Sequence, residues 1–113
     1  MGRRFVRLKC EFVRGPGKAY TYAFDFIVED EKVVQGWDYV GFGKFRDAEN
    51  RGAIEVYPFI IDEDGDMDFG SGFDEAVRYL SSNIMTKNII LSETFTVNDG
   101  GENIYMIKEI NNI

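Results

Sequence analysis

A chain of 113 residues holds one hydrophobic core and has no room for a second independent unit. Its 13 Lys and Arg against 20 Asp and Glu give a formal charge of -7, with no histidine and a single cysteine. Those counts exclude a His-dependent catalytic triad, an imidazole metal site, a Cys-His dyad, an intramolecular disulfide and a multi-cysteine zinc site.

Apolar and polar residues alternate from the start. Val6, Leu8, Cys10 and Phe12 interleave with Arg7, Lys9 and Glu11, the period of two that marks a half-buried strand. Gly15-Pro16-Gly17 supplies a turn, and Tyr20, Tyr22, Phe24, Phe26 and Val28 carry the alternation onto a second strand. So short a connection makes an antiparallel hairpin. A third strand is expected over Val33–Phe42, bent at its glycines, followed by a polar loop at Lys44–Gly52. Ala53–Ile61 is strongly β-forming, but Pro58 cannot donate to a ladder, which predicts an edge position or a bulge.

Asp62–Gly72 reads as an acidic loop. Ser71 then resembles an N-cap, with Asp74 and Glu75 in the first turn behind it. Phe73, Ala76, Val77, Leu80 and Ile84 fall at helical spacing and predict the one amphipathic helix, ending near Ile84–Lys87. Ile89–Val97 and Ile104–Ile110 are two final strands joined by Asn98-Asp99-Gly100-Gly101. The expected order is ββββαββ: a single α+β domain over residues 1–113. One helix packs on an antiparallel sheet of about six strands that can curl toward a barrel.

The charge is unevenly placed. Residues 1–18 carry six basic side chains and one acidic, a local +5; the remaining 95 carry seven basic and 19 acidic, or −12. Residues 52–77 contain no basic side chain at all. Such a field disfavours nucleic acid and anionic membranes as partners and favours a basic protein surface. With no leader pattern and no apolar run near the roughly 20 residues a bilayer span needs, the expected location is cytoplasmic.

Four constellations bear on chemistry. Asp64, Asp66, Asp68 and Glu75 stand at relative positions 1, 3, 5 and 12, the carboxylate positions of an EF-hand calcium loop. Position 6, which the sharp turn needs as glycine, is Phe69, so a solvated acidic turn is the plainer expectation and a calcium module the alternative. A carboxylate-based enzyme would draw on Glu55 and Asp25, although pairing of Asp25 with Arg7 or Lys9 across the first hairpin is the simpler role. Cys10 shares the apolar face of its strand and is expected to be a buried, inert thiol. Gly41-Phe42-Gly43-Lys44 and Gly70-Ser71-Gly72 lack the spacing of a phosphate-binding loop.

The fourth constellation is a recognition surface. Trp37 and Tyr57 are aromatic anchors, and Asp62, Glu63, Asp64, Asp66, Asp68, Asp74 and Glu75 supply the carboxylates that would steer and hold a cationic partner. In size, charge and expected architecture the chain resembles bacterial immunity proteins that neutralise nuclease toxins, and phage inhibitors that mimic the charge of DNA. The resemblance implies a small acidic inhibitor, not an enzyme, with no cofactor and a basic toxin or nuclease domain as partner.

Overall fold

The structure, a computed structural model, describes residues 2–17, 19–47, 53–73 and 78–113. The predicted first hairpin is present as β1 (Arg4–Arg14) and β2 (Thr21–Glu29), in a register that sets Arg7 opposite Asp25 and Leu8 opposite Phe24. A two-residue turn at Asp30 and Glu31, both with positive φ, leads to β3 (Lys32–Val33), which pairs only with the end of β2. The predicted third strand therefore breaks. Its second part, β4 (Tyr39–Asp47), starts later and runs on into the segment expected as a loop, pairing with β2 on one side and with β5 (Ala53–Ile61) on the other.

β6 (Asp66–Asp68), β7 (Tyr79–Ser82), β8 (Thr94–Asn98) and β9 (Glu102–Asn112) continue as an antiparallel meander. β9 returns to the free edge of β1. β1 thus has partners on both sides, and β1, β2 and β4–β9 close into an eight-stranded antiparallel barrel, with β3 lying outside the ring.

This corrects the α+β expectation: the chain is an all-β barrel, and among the described residues no helix packs on a sheet. The apolar spacing read as a helix over 73–84 crosses residues 74–77, which lie outside the described ones. Beyond them, Tyr79–Ser82 is strand and Ile84–Thr86 is a single 3₁₀ turn. The physical reason is closure. β6 and β8 each have an edge to satisfy, and β7 pairs with both, so ladder hydrogen bonds prevail over a short amphipathic pattern. β5 is also not the simple edge that Pro58 suggested. Ile60 and Ile61 pair on both sides, while Pro58 lies where β4 is the only strand partner among the described residues. The strand expected from Ile89 begins only at Thr94, after a loop in which Ser92 takes positive φ.

Alternation fills the interior. Val6, Leu8, Cys10, Tyr22, Phe24, Phe26, Phe59, Phe95, Val97, Tyr105 and Ile107 all point inward and are buried. An eight-stranded barrel is just wide enough to be packed by side chains, and aromatic rings supply most of the volume here. Tyr22 and Tyr105 meet edge to face at 4.9 Å, as do Phe24 and Phe59 at 5.5 Å, and Phe26 and Tyr39 at 5.2 Å. Gly41 makes room for this. A Cβ there would sit 2.5 Å from the Ala23 carbonyl oxygen and 2.5 Å from the rim of the Phe59 ring.

One end of the barrel is plugged by the segment after β7. Ile84, Met85 and Ile89 are buried, and the Ile89 amide donates to the Glu31 carbonyl at 2.7 Å. At the other end buried Asn103 ties two turns together. Its Oδ1 accepts from the Gly17 amide, and its Nδ2 donates to the Asp99 carbonyl, both at 2.8 Å. Among the described residues no helix is long and apolar enough to cross a membrane.

Gly41→Ala sets the new methyl against backbone and should destabilise the fold by about 1–3 kcal/mol. Gly72→Ala, whose Cβ meets nothing within 4 Å, should be neutral within about 0.5 kcal/mol. Urea unfolding of the two variants beside the parent checks both.

Candidate functional site

The meander brings two connections together at the plugged end: the segment entering β4 and the turn leaving β5. Tyr39 pairs with Ile61, so Trp37 and Asp38 stand beside Asp62 at the same level of the wall. The turn 62–66 is built on its own first residue. Asp62 Oδ1 accepts from the amides of Asp64 and Asp66, each at 3.0 Å, an Asx-type closure of the loop. Gly65 is required here, because its φ of 86° is open to glycine and a Cβ would lie 1.9 Å from the Ser82 carbonyl oxygen.

Gly36, Trp37, Asp38, Asp62, Glu63 and Asp64 line an open cleft of about 220 Å³. None of the lining residues is basic, and none of the four carboxylates makes a salt bridge among the described residues. Trp37 is 48% exposed, and the Arg3 guanidinium lies over its ring at 5.6 Å while donating to Glu29 at 3.0 Å. The indole thus already takes a cation on its surface, supplied by the chain itself.

The structure gathers Trp37, Asp62, Glu63 and Asp64 from the predicted recognition set, with exposed Asp66 at the end of the same turn. Asp68 is elsewhere engaged. It forms a two-point ion pair with Arg78 at 2.8 and 3.3 Å, and hydrogen bonds from Arg78 and from the Gly70 amide hold its carboxyl below the usual carboxylate range. Tyr57 belongs to another neighbourhood. It donates to Glu55 and packs its ring against Phe73, on the inward side of β5 and roughly 16 Å along the strand from Asp62. Asp74 and Glu75 lie outside the described residues.

For the calcium spacing the same facts redistribute the ligands. Asp68 is held by Arg78 and Glu75 is not among the described residues. Asp62, which the EF-hand frame left out, joins Asp64 and Asp66, with one oxygen of each within 4.8 Å of the others. Sequence spacing missed Asp62 because a β-turn, not a helix-flanked loop, folds the segment.

Other expectations resolve into structure. Asp25 faces outward and pairs with Arg7 through two hydrogen bonds at 2.7 and 2.8 Å, as the hairpin register suggested. Glu55 has inward parity on β5, so the two carboxylates point to opposite sides of the wall. A larger groove of about 540 Å³ runs over the outside of β1, β2 and β4. Arg7, Lys9, Lys44 and Lys108 alternate there with Glu11 and Glu109, which gives it no single sign. No protein family, curated protein or solved structure matches the chain.

Cys10 is 1% exposed, and burial alone pushes its thiol far above the ordinary range. A raised pKa suppresses the nucleophilic thiolate, so the native protein should stay silent toward Ellman's reagent near pH ~8. The same chain in denaturant should release one equivalent; prompt reaction of the native form would contradict the buried placement.

Proposed function

We propose that this chain is a non-enzymatic binding protein of the cytoplasm. Its acidic barrel end docks on a basic protein surface, in the manner of an immunity protein covering a nuclease-type toxin. The observation that carries the reading is the Trp37 cleft: a half-exposed indole beside four carboxylates that lack a cationic partner among the described residues. In a docked complex a Lys or Arg side chain of the partner would lie between the indole and Asp62, Glu63 and Asp64. Rim carboxylates chiefly raise the association rate, and a centrally buried Trp supplies much of the affinity.

Trp37 is the only tryptophan, so its emission reports docking directly. Titration with an arginine-rich peptide, and then with basic nuclease domains, should shift that emission saturably. Replacing Asp62, Glu63 and Asp64 by their amides should weaken binding by at least tenfold, about 1.4 kcal/mol, and mostly through the association rate. Trp37→Phe should weaken it as well, followed by calorimetry. Equal affinity of the parent and the triple amide variant for every basic ligand would overturn the reading.

A second reading keeps a divalent cation at the same turn, favoured by the convergence of Asp62, Asp64 and Asp66. Three carboxylates leave most of a calcium shell to water, so the expected Kd is in the range of about 10⁻⁴–10⁻³ M. Calorimetry with calcium chloride should then give heat that Asp64→Asn removes; no heat at millimolar calcium would dismiss it.

A further inference from the structure

The outer face of β4 and β5 breaks the alternation that the rest of the barrel obeys. Outward positions of a solvated strand should be polar, yet on β5 they read Ile54, Val56, Pro58 and Ile60, all exposed. On β4 the outward positions are Val40 and Phe42 before Lys44. Val40 lies opposite Ile60, and Phe42 opposite Pro58, so the apolar groups are contiguous across the pair. Val40, Phe42, Pro58 and Ile60 line a shallow cleft of about 430 Å³. The charges nearest this floor are already neutralised, Asp25 by Arg7 on one side and Asp68 by Arg78 on the other.

The uncompensated charges sit above and below it. Alternation puts Asp38 on the same face as Val40, two positions beyond it, and Lys44 two positions beyond Phe42 in the other direction. Neither has a salt-bridge partner among the described residues. Asp38 and Lys44 are therefore equidistant from Gly41, three residues or roughly 10 Å each way.

We infer that this face pairs with a second copy of itself about a twofold axis that crosses β4 and β5 at the level of Gly41 and Phe59. Rotation about such an axis reverses strand direction while keeping β4 over β4. Phe42 of one copy then lies over Val40 of the other, Pro58 over Ile60, and Lys44 over Asp38, each contact occurring twice. An axis along the strands would instead set Lys44 on Lys44 and Asp38 on Asp38. Opposite charges at equal distances from an apolar centre select one self-complementary arrangement, and an unrelated partner would impose no such symmetry. At ~0.15 M salt the Debye length of about 8 Å screens the repulsion between two net charges of -7 while contact pairs persist.

The face is small. From Asp38 to Lys44 it spans roughly 20 Å along two strands about 5 Å apart, which places the dimer in the weak, transient class. Its dissociation constant should lie in the range of about 10⁻⁵–10⁻⁴ M.

Sedimentation equilibrium of the full chain, with no basic ligand present, tests this apart from Trp37 docking, and Ile60→Asp and Lys44→Glu leave the acidic cleft that Asp38 lines unchanged. The parent should pass from monomer to dimer as concentration rises toward ~500 µM, bracketing that constant. Ile60→Asp, which alters a half-exposed side chain on this face, should remain monomeric. Lys44→Glu and Asp38→Lys should each weaken the dimer by about tenfold, and the double variant Lys44→Glu/Asp38→Lys should restore it. A monomeric parent throughout, a dimer that survives Ile60→Asp, or a double variant no tighter than the single ones would each overturn the proposal. Trp37 docking is read at low micromolar protein, where the dimer is absent, so failure of either idea leaves the other standing.

Discussion

The constraint on which everything else depends is that β1 is paired on both edges, with β2 through a hairpin and with β9 across the full length of the chain. That second pairing joins the two ends of the sequence and removes the free sheet edge that nine strands would otherwise leave. Closure fixes an inside and an outside, and one residue of slip in any strand would exchange them. The inward set then has to fill a barrel of fixed girth, which explains rings from four different strands meeting at 4.9–5.8 Å and a glycine where the wall passes closest to Phe59. Aromatic and aliphatic side chains pack the interior, and the Trp37 cleft and the mixed-charge groove among the described residues lie at an end of the barrel and on its outer wall. Recognition is pushed to the ends of the barrel and to its outer wall.

The two ends are finished differently. At one, Asn103 spends both its amide oxygen and its amide nitrogen on backbone: the Gly17 amide on one turn, and the carbonyls of Val97, Asp99 and Gly101 on the other. A buried side chain so fully satisfied rigidifies what it touches. At the opposite end the buried apolar plug of Ile84, Met85 and Ile89 is anchored to the β2–β3 turn by backbone hydrogen bonding. The connections outside that plug are not drawn inward, and the Trp37 cleft forms between them. The same closure that packs the core thus supplies a rim on which short turns can hold charged groups at fixed spacing.

Much of the wall was legible from alternation. The first hairpin, its Arg7–Asp25 pairing, the inward Cys10, the extent of β5 and the last hairpin all follow from a period of two and from turn chemistry. What failed was the stretch after Asp62. Phe73, Ala76, Val77, Leu80 and Ile84 satisfy a helical period, but a four-residue strand such as Tyr79–Ser82 carries too few positions to display its own. Its identity is set by partners distant in sequence, Asp66–Asp68 and Asn98, which no local window contains. For the candidate site, the acidic loop and Trp37 could be read singly. Their meeting could not, because it follows from Tyr39 lying opposite Ile61. Tyr57 stands apart from them: its parity on β5 matches Phe59 and points it inward, a fact available once the strand's inner face is known.

The net charge of -7 takes on a different meaning when traced through the pairings. The basic N-terminal stretch is neutralised in part within the wall. Arg3 is held by Glu29 and Arg7 by Asp25, and Arg78, further on, is held by Asp68. Each of these pairs links neighbouring stretches of the wall and consumes an acid from the body of the chain as well as a base. Exposed pairs of this kind add little stability, but they decide where charge is left over. Of the acids outside these pairs, Asp38, Asp62, Glu63, Asp64 and Asp66 gather at one end of the barrel, beside an indole whose own cation comes from the N-terminal segment. The acidity is therefore unevenly spread: the ladder register that fills the core also sets Tyr39 opposite Ile61, and so brings one group of carboxylates together at the Trp37 rim.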